Sequence, residues 1–228
     1  MRLIWLGHGS WRLEIEDAVI LIDPWLQGNP AFPDERRDEA LQGATHILMT
    51  HGHGDHASEI IGIANELNLP LAGMVELMNI FGAKGLECTG FNKGGTIDMG
   101  GAKVTMVAAA HSSSFDAGGE IAVYSGGEVG FMIEGDGKTI YFSGDTDIMA
   151  DMDWMGDLHK PDIGILSVGG HFTMDPARAA YAAKRWFNFE TIVCSHYRTF
   201  DLLKPDMAPL QALDCKLIEP EVMVPFTP

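Results

Sequence analysis

A chain of 228 residues with 46% apolar content is long enough for one large globular domain or two small ones, and too apolar to be disordered. With 15 basic against 32 acidic residues, the formal net charge of −17 describes a surface that repels phosphate backbones, so no nucleic-acid partner is expected, while a small anionic substrate is not excluded. No stretch approaches about 20 consecutive apolar residues, so no membrane span is expected. Three scattered cysteines, Cys88, Cys194 and Cys215, with no leader-like apolar segment after the N-terminus, point to a reducing, cytoplasmic setting.

Arg2 to Leu6 reads as a strand running into Gly7-His8-Gly9-Ser10. Trp11, Leu13 and Ile15 alternate with Arg12, Glu14 and Glu16, the period of a half-buried strand, and Ala18 to Ile22 is an apolar strand closing at Asp23-Pro24. Gln27 to Pro33 is a loop; Asp34 to Leu41 is a short exposed helix or lid edge. Ala44 to Met49 is a buried strand, and Ala57 to Leu67 carries Ile60, Ile61, Ala64 and Leu67 at helical spacing. A short strand at Asn68–Gly73 and a helix at Met74–Ala83 follow, then short strands at Leu86–Thr89, Gly95–Asp98 and Lys103–Val107, and a loop from Ala108 to Phe115. Ile121–Tyr124, Gly130–Glu134 and Thr139–Phe142 read as a meander, and Asp147–Leu158 as a helix with an acidic first turn. Ile163–Val168 is a buried strand, Pro176–Phe187 a helix with proline at its first turn, and Thr191–Cys194 a strand ending at Ser195-His196. Asp206–Leu213 is the last helix, and a short strand finishes the chain. The hairpin Leu13 to Asp23 is weakly echoed by Phe131 to Asp145, each delivering an aspartate at the end of its second strand. No Pro-, Gly- or Ser-rich linker divides the chain, so residues 1–228 are read as a single domain.

Thr50-His51-Gly52-His53-Gly54-Asp55-His56 concentrates four metal-competent side chains on a strand-to-helix turn. On extended backbone, residues two apart point the same way, so His51 and His53 can reach one ion together, while Asp55 and His56 face a neighbouring position. A helix N-cap would account for Asp55 alone. Three further strand ends carry His111, Asp145 and His196. One zinc takes three or four protein ligands, so seven candidates call for two ions, with one carboxylate bridging. Five imidazoles with two carboxylates suit zinc first, with manganese or iron open because no thiolate selects against them.

This pattern resembles the metallo-β-lactamase superfamily of binuclear metal hydrolases. Its HxHxDH motif is matched at His51, His53, Asp55 and His56, and its later His, Asp and His at His111, Asp145 and His196. Trp5-Leu6-Gly7-His8, Ile22-Asp23-Pro24 and Gly170-His171-Phe172-Thr173-Met174 are similar to a narrower group of metal-dependent hydrolases related to L-ascorbate-6-phosphate lactonase. The resemblance implies an α/β (α+β) four-layer αβ/βα sandwich with the site on one rim between two sheets. It implies His51, His53 and His111 on one metal, Asp55, His56 and His196 on the other, and Asp145 bridging. Asp55 and Asp145 are then the candidate catalytic carboxylates, and hydroxide formed from water between two divalent cations is the nucleophile.

Asp23 is expected to orient a ligand imidazole, with a turn cap before Pro24 as the alternative. The resemblance places His8 near the pocket, to bind substrate, donate a proton or stand just outside the ligands, against a plain turn residue, and His171 is expected to face the substrate pocket or stand just outside the ligands. His46 reads as a structural histidine, His159 as surface, and Arg178, Lys184 and Arg185 as a solvated helix face. Tyr197 and Arg198 are candidate substrate contacts or a tight turn. The Gln27–Leu41 region, with Trp25 and Phe32, is expected at the pocket mouth or at a subunit contact, with a homo-oligomer left open. The expected activity is hydrolysis of an ester, lactone or similar bond of a small molecule. The alternatives are a phosphodiesterase or nuclease of the same superfamily, and a non-catalytic metal-dependent sensor.

Overall fold

The computed structural model, which describes residues 1–116, 118–119 and 121–228, resolves the strand pattern into two sheets. The first contains β1 (Arg2–Trp5), β2 (Trp11–Ile15), β3 (Ala18–Ile22), β4 (His46–Leu48), β5 (Leu71–Met74) and β6 (Cys88–Phe91), in chain order. β7 (Thr96–Met99) and β8 (Ala102–Ala108) begin the second. β9 (Ser114–Phe115) and β10 (Val123–Tyr124) form a separate two-stranded ribbon. β11 (Val129–Gly135), β12 (Lys138–Phe142), β13 (Ile163–Ser167), β14 (Thr191–Ser195) and β15 (Lys216–Ile218) complete the second sheet in the order β15-β14-β13-β12-β11-β8-β7.

The two sheets share one topology. β1, β2 and β3 pair antiparallel, and β4, β5 and β6 then add in parallel. Likewise β8, β11 and β12 pair antiparallel, and β13, β14 and β15 add in parallel. This repeat is the structural content of the hairpin echo in the sequence. Within each sheet the first, third and later strands of the repeat therefore run the same way, so their C-terminal ends share a rim.

Period-2 alternation supplies two different cores from one strand. Leu3 and Trp5 of β1, Trp11, Leu13 and Ile15 of β2, and Ile20 and Ile22 of β3 face the second sheet, where they join Val104, Met106, Phe131, Ile133 and Ile140. Ile4, Leu21, Ile47 and Leu71 point to the other side and meet helices α1 (Arg37–Leu41), α2 (Gly54–Ala57), α3 (Ile60–Leu67) and α4 (Val75–Gly82). Helices α5 (Met152–His159), α6 (Pro176–Trp186) and α7 (Ala208–Gln211) bury Met152, Met155, Ala179, Ala183 and Leu210 with the second sheet. Helices, sheet, sheet and helices make the four expected layers. Arg12, on the helix side of β2, is buried with its guanidinium donating to the carbonyls of Ala40 (3.1 Å) and Gln42 (2.7 Å), which satisfies the C-terminal end of α1. Beyond the open side of β1, Leu3 exchanges both backbone hydrogen bonds with Phe226, and Met223 N donates to Trp5 O.

Several expected boundaries move for local reasons. The helix expected over Ala57–Leu67 is two pieces, α2 and α3, separated at Ser58-Glu59, where the Glu59 carboxylate accepts from the amides of Leu26 and Gln27 at 2.7 Å each. Asn68 ends α3 in the left-handed region (φ 53°), so the following strand starts at Leu71 rather than at Asn68. Residues 147–151 do not join α5: Asp147 N is held by Ala110 O. Ile121–Tyr124 contributes only β10, which pairs with Ser114–Phe115 in the expected loop and stays outside the meander. Phe32 is buried in the helix-side core rather than at a pocket mouth, and the last helix shrinks to the single turn of α7.

α5 crosses α6 at Gly156, where a Cβ would fall inside the van der Waals envelope of the Trp186 carbonyl oxygen; at Gly62 in α3 a Cβ meets nothing within 4 Å. The two Gly→Ala substitutions should therefore have opposite signs. Gly156→Ala should destabilise by about 1–3 kcal/mol through overpacking, and Gly62→Ala should stabilise by roughly 0.5–1 kcal/mol through helix propensity. Urea denaturation midpoints at unchanged m-value check both; equal shifts would contradict the packing described.

Candidate metal centre

The C-terminal ends of β1, β3, β4, β8, β12 and β14 deliver His8, Asp23, His51, His111, Asp145 and His196. The turn after β4 adds His53, Asp55 and His56, the last two on α2. Gly9 allows a close approach: a Cβ there would lie 2.6 Å from His56 Cε1. His8 (φ 54°), Asp23 (φ 45°) and His196 (φ 52°) all hold left-handed backbone, which non-glycine residues adopt at a cost and which clusters at functional sites.

Two non-overlapping groups of ligand atoms form, each with its members within 4.8 Å of one another, His51, His53 and His111, and His8, Asp55, His56 and His196; a third such set, Asp23, His51 and His56, draws one ring from each. Asp145 lies between them, its Oδ2 3.0 Å from His196 Nε2, 3.5 Å from His56 Nε2 and 3.8 Å from His111 Nε2. Asp55 Oδ2 is 3.7 Å from His196 Nε2 and 3.8 Å from His56 Nε2. The expected seven are thus brought to one place from four strand ends.

A second layer of hydrogen bonds fixes the rings. Asp23, fully buried, accepts from the Thr50 amide and hydroxyl and lies 2.8 Å from His56 Nδ1, so the Nε2 of His56 is left for the cluster. Thr50 Oγ1 is also 2.9 Å from His51 Nδ1. His8, fully buried, joins Asp55 Oδ2 (2.8 Å) to Thr199 Oγ1 (2.9 Å). Glu128 accepts from the backbone N–H of His111. Thr50 and Thr199 carried no signal in the sequence, because a hydroxyl that orients a ring has no characteristic spacing. His171 is exposed, its ring against Phe172, and belongs to neither ligand group; its loop is tied to the site through Met174 N donating to Thr146 O. His46 is half-buried beside Thr45 Oγ1, well apart from the ligand groups.

The charge distribution asks for a cation. Burial pulls the pKa of His196 down, but Asp145 and Asp55 outweigh it and push it up to about 9; His56, between Asp145 and Asp23, is raised well above its ordinary value. Burial also opposes ionisation of Asp145 and Asp55, yet the surrounding imidazoles hold both carboxylates well below the usual range. His51 and His53 are lowered, burial first among the causes. His56 Nε2 and both ring nitrogens of His196 are buried without a hydrogen-bond partner among the described residues. Orphaned imidazole nitrogens facing ionised carboxylates are the donor set of a divalent cation, and the residues fit one.

A family model described as "Beta-lactamase superfamily domain" matches residues 2–187. The chain is 62% identical to a "UPF0173 metal-dependent hydrolase" of Paracoccus denitrificans, covering 99% of each chain, and 56% identical to one of Cereibacter sphaeroides, covering 100% of each. Among solved structures it is similar to Igni18, a metallo hydrolase of Ignicoccus hospitalis, with a TM-score of 0.84 and 29% identity over 99% of this chain and 98% of that one. An isothiocyanate hydrolase from Delia radicum gut bacteria, at TM-score 0.78 and 18% identity over 100% and 98%, shares the fold. The chain belongs to the metallo-β-lactamase superfamily and, within it, is a metal-dependent hydrolase of the group its bacterial relatives represent.

Proposed function

We propose that the chain is a binuclear hydrolase of small molecules acting on an ester, lactone or similar bond. In this reading His51, His53 and His111 hold one cation, Asp55, His56 and His196 hold the other, and Asp145 bridges. The observation that carries it is the position of Asp145 Oδ2, within 3.0–3.8 Å of ring nitrogens from both groups. Zinc is the first candidate for both positions, given imidazole and carboxylate donors, with manganese or iron as alternatives. Bound there, the two cations would supply a hydroxide nucleophile near neutral pH and polarise the scissile carbonyl.

The protein's own part is placement. Asp23 and Thr50 present fixed ring edges of His56 and His51, and Asp145 is buried so that its charge acts across a short, poorly screened distance. Half-buried Trp25 and Phe200 stand edge-on to His8 and give the rim beside Asp55 an apolar wall. Arg198, two residues after His196, is engaged with Glu219, which favours uncharged substrates over phosphate esters. The acidic surface supports the same preference and a small-molecule rather than nucleic-acid partner. No helix among the described residues is long and apolar enough to cross a membrane; the scattered free cysteines support a reducing, cytoplasmic setting for the activity.

Removing metal with a chelator should abolish hydrolysis of a carboxylic ester and lactone panel, and adding zinc or manganese should restore it. Asp145→Ala should lose at least the roughly 100-fold that outer partners of metal ligands cost. Turnover that survives complete metal removal, or unchanged activity in Asp145→Ala, would sink the reading. Asp23→Asn should weaken metal affinity about 10- to 100-fold, because His56 loses the carboxylate that orients it. Competition with a fluorescent chelator measures this; wild-type affinity would show that Asp23 only caps its turn.

A further inference from the structure

His8 is a fully buried titratable group outside the proposed ligand set. Its backbone is in the left-handed region, yet its position is over-determined. The His8 carbonyl accepts from Trp5 Nε1 at 2.8 Å and from the His196 amide at 2.9 Å, which ties the end of β1 directly to the ligand at the end of β14. Its ring has two assigned partners. The ionised Asp55 can only accept, so the bond at 2.8 Å places the proton on His8 Nε2; Nδ1 then accepts from the Thr199 hydroxyl at 2.9 Å. Trp25 and Phe200 close over the ring with centroids at 5.4 and 5.6 Å, and His8 itself has no exposed surface. A hydrogen bond whose donor ring is fully buried leaves that donor unsatisfied if its partner goes missing.

The Asp55 oxygen that His8 holds is the one facing the Nε2 atoms of both His56 and His196. In topology His8 stands at the end of the first strand of its repeat, as His111 does at the end of β8. The two halves have used the same strand end differently: one for a candidate ligand, the other for a residue beside a ligand.

We propose that His8 is the positioning residue of the Asp55 carboxylate. Its Nε2–H, fixed in that tautomer by Thr199, orients the oxygen that faces the second cation position before an ion arrives. This rests on the reading of Asp55 as a ligand of that position. His8 belongs to the site without itself bonding the ion.

Zinc titration of the full-length protein against a chromophoric chelator tests it, with the wild type, His8→Ala, His8→Gln and Thr199→Val. The wild type should bind two ions in two steps. His8→Ala should weaken one step about 10- to 100-fold and leave the other unchanged. Glutamine, whose amide N–H can reach where Nε2–H lies, should recover most of that loss, and Thr199→Val should lose part of it. A buried histidine serving only as packing would not be rescued through a hydrogen-bond donor, nor be sensitive to an isosteric change at Thr199. Wild-type binding by His8→Ala overturns the proposal. So does a folded His8→Gln protein, judged by its thermal melt, that binds as poorly as His8→Ala, because His8 would then be a ligand. If His8→Ala does not fold, Thr199→Val decides: an unchanged second step overturns the proposal. A wild type that binds one ion or none removes the binuclear reading and this proposal together, a result distinct from a defect confined to the variants.

Discussion

Two carboxylates set among five imidazoles, Asp145 buried and Asp55 partly exposed, make a cluster that calls for positive charge at its centre. Burial opposes ionisation of Asp145 and Asp55, and only the surrounding histidines keep both charged. The Nε2 atoms of His56 and His196 are left without a hydrogen-bond partner among the described residues. A divalent cation would meet that call by accepting imidazole lone pairs and offsetting the carboxylate charge together. The second-layer bonds of Asp23, Thr50 and His8 have meaning only against that requirement: each decides which atom of a ring or carboxylate faces inward.

The fold converts distant sequence into this cluster by repeating one strand topology. The same run of three antiparallel and then parallel strands gives each sheet a rim of like-directed ends, and the sheets pack face to face through alternate residues. Asp23 and Asp145 occupy the same place in the two repeats, at the end of the third strand, yet one lies among the ligand nitrogens and the other behind a ligand ring. Side chains, not topology, assign the roles.

Most of this was legible in the residues. The His51–His56 turn is dense enough to announce itself, and His111, Asp145 and His196 follow strands whose apolar runs are plain. The four layers followed from a resemblance that the structure and the relatives bear out. What stayed hidden depends on contacts between segments far apart in sequence. Glu59 accepts from Leu26 and Gln27 amides and sits where the helix divides, and nothing near residue 59 announces that. Thr199 matters because it meets a histidine 191 positions away. Ser114–Phe115 became a strand only because Val123–Tyr124 lies beside it. Phe32 was misplaced because an aromatic residue in a Pro-rich loop looks the same whether it faces solvent or slots between helices.

The pairing of residues 223–226 with β1 bears on how copies of this chain can meet. A sheet edge with free amides and carbonyls invites strand addition from a neighbour. On this flank the Leu3 amide and carbonyl and the Trp5 carbonyl already have partners in Phe226 and Met223. Along that stretch of the first sheet these groups offer no ladder for strand addition by a second copy, and the segment leading to His8 is stapled by residues 223–226.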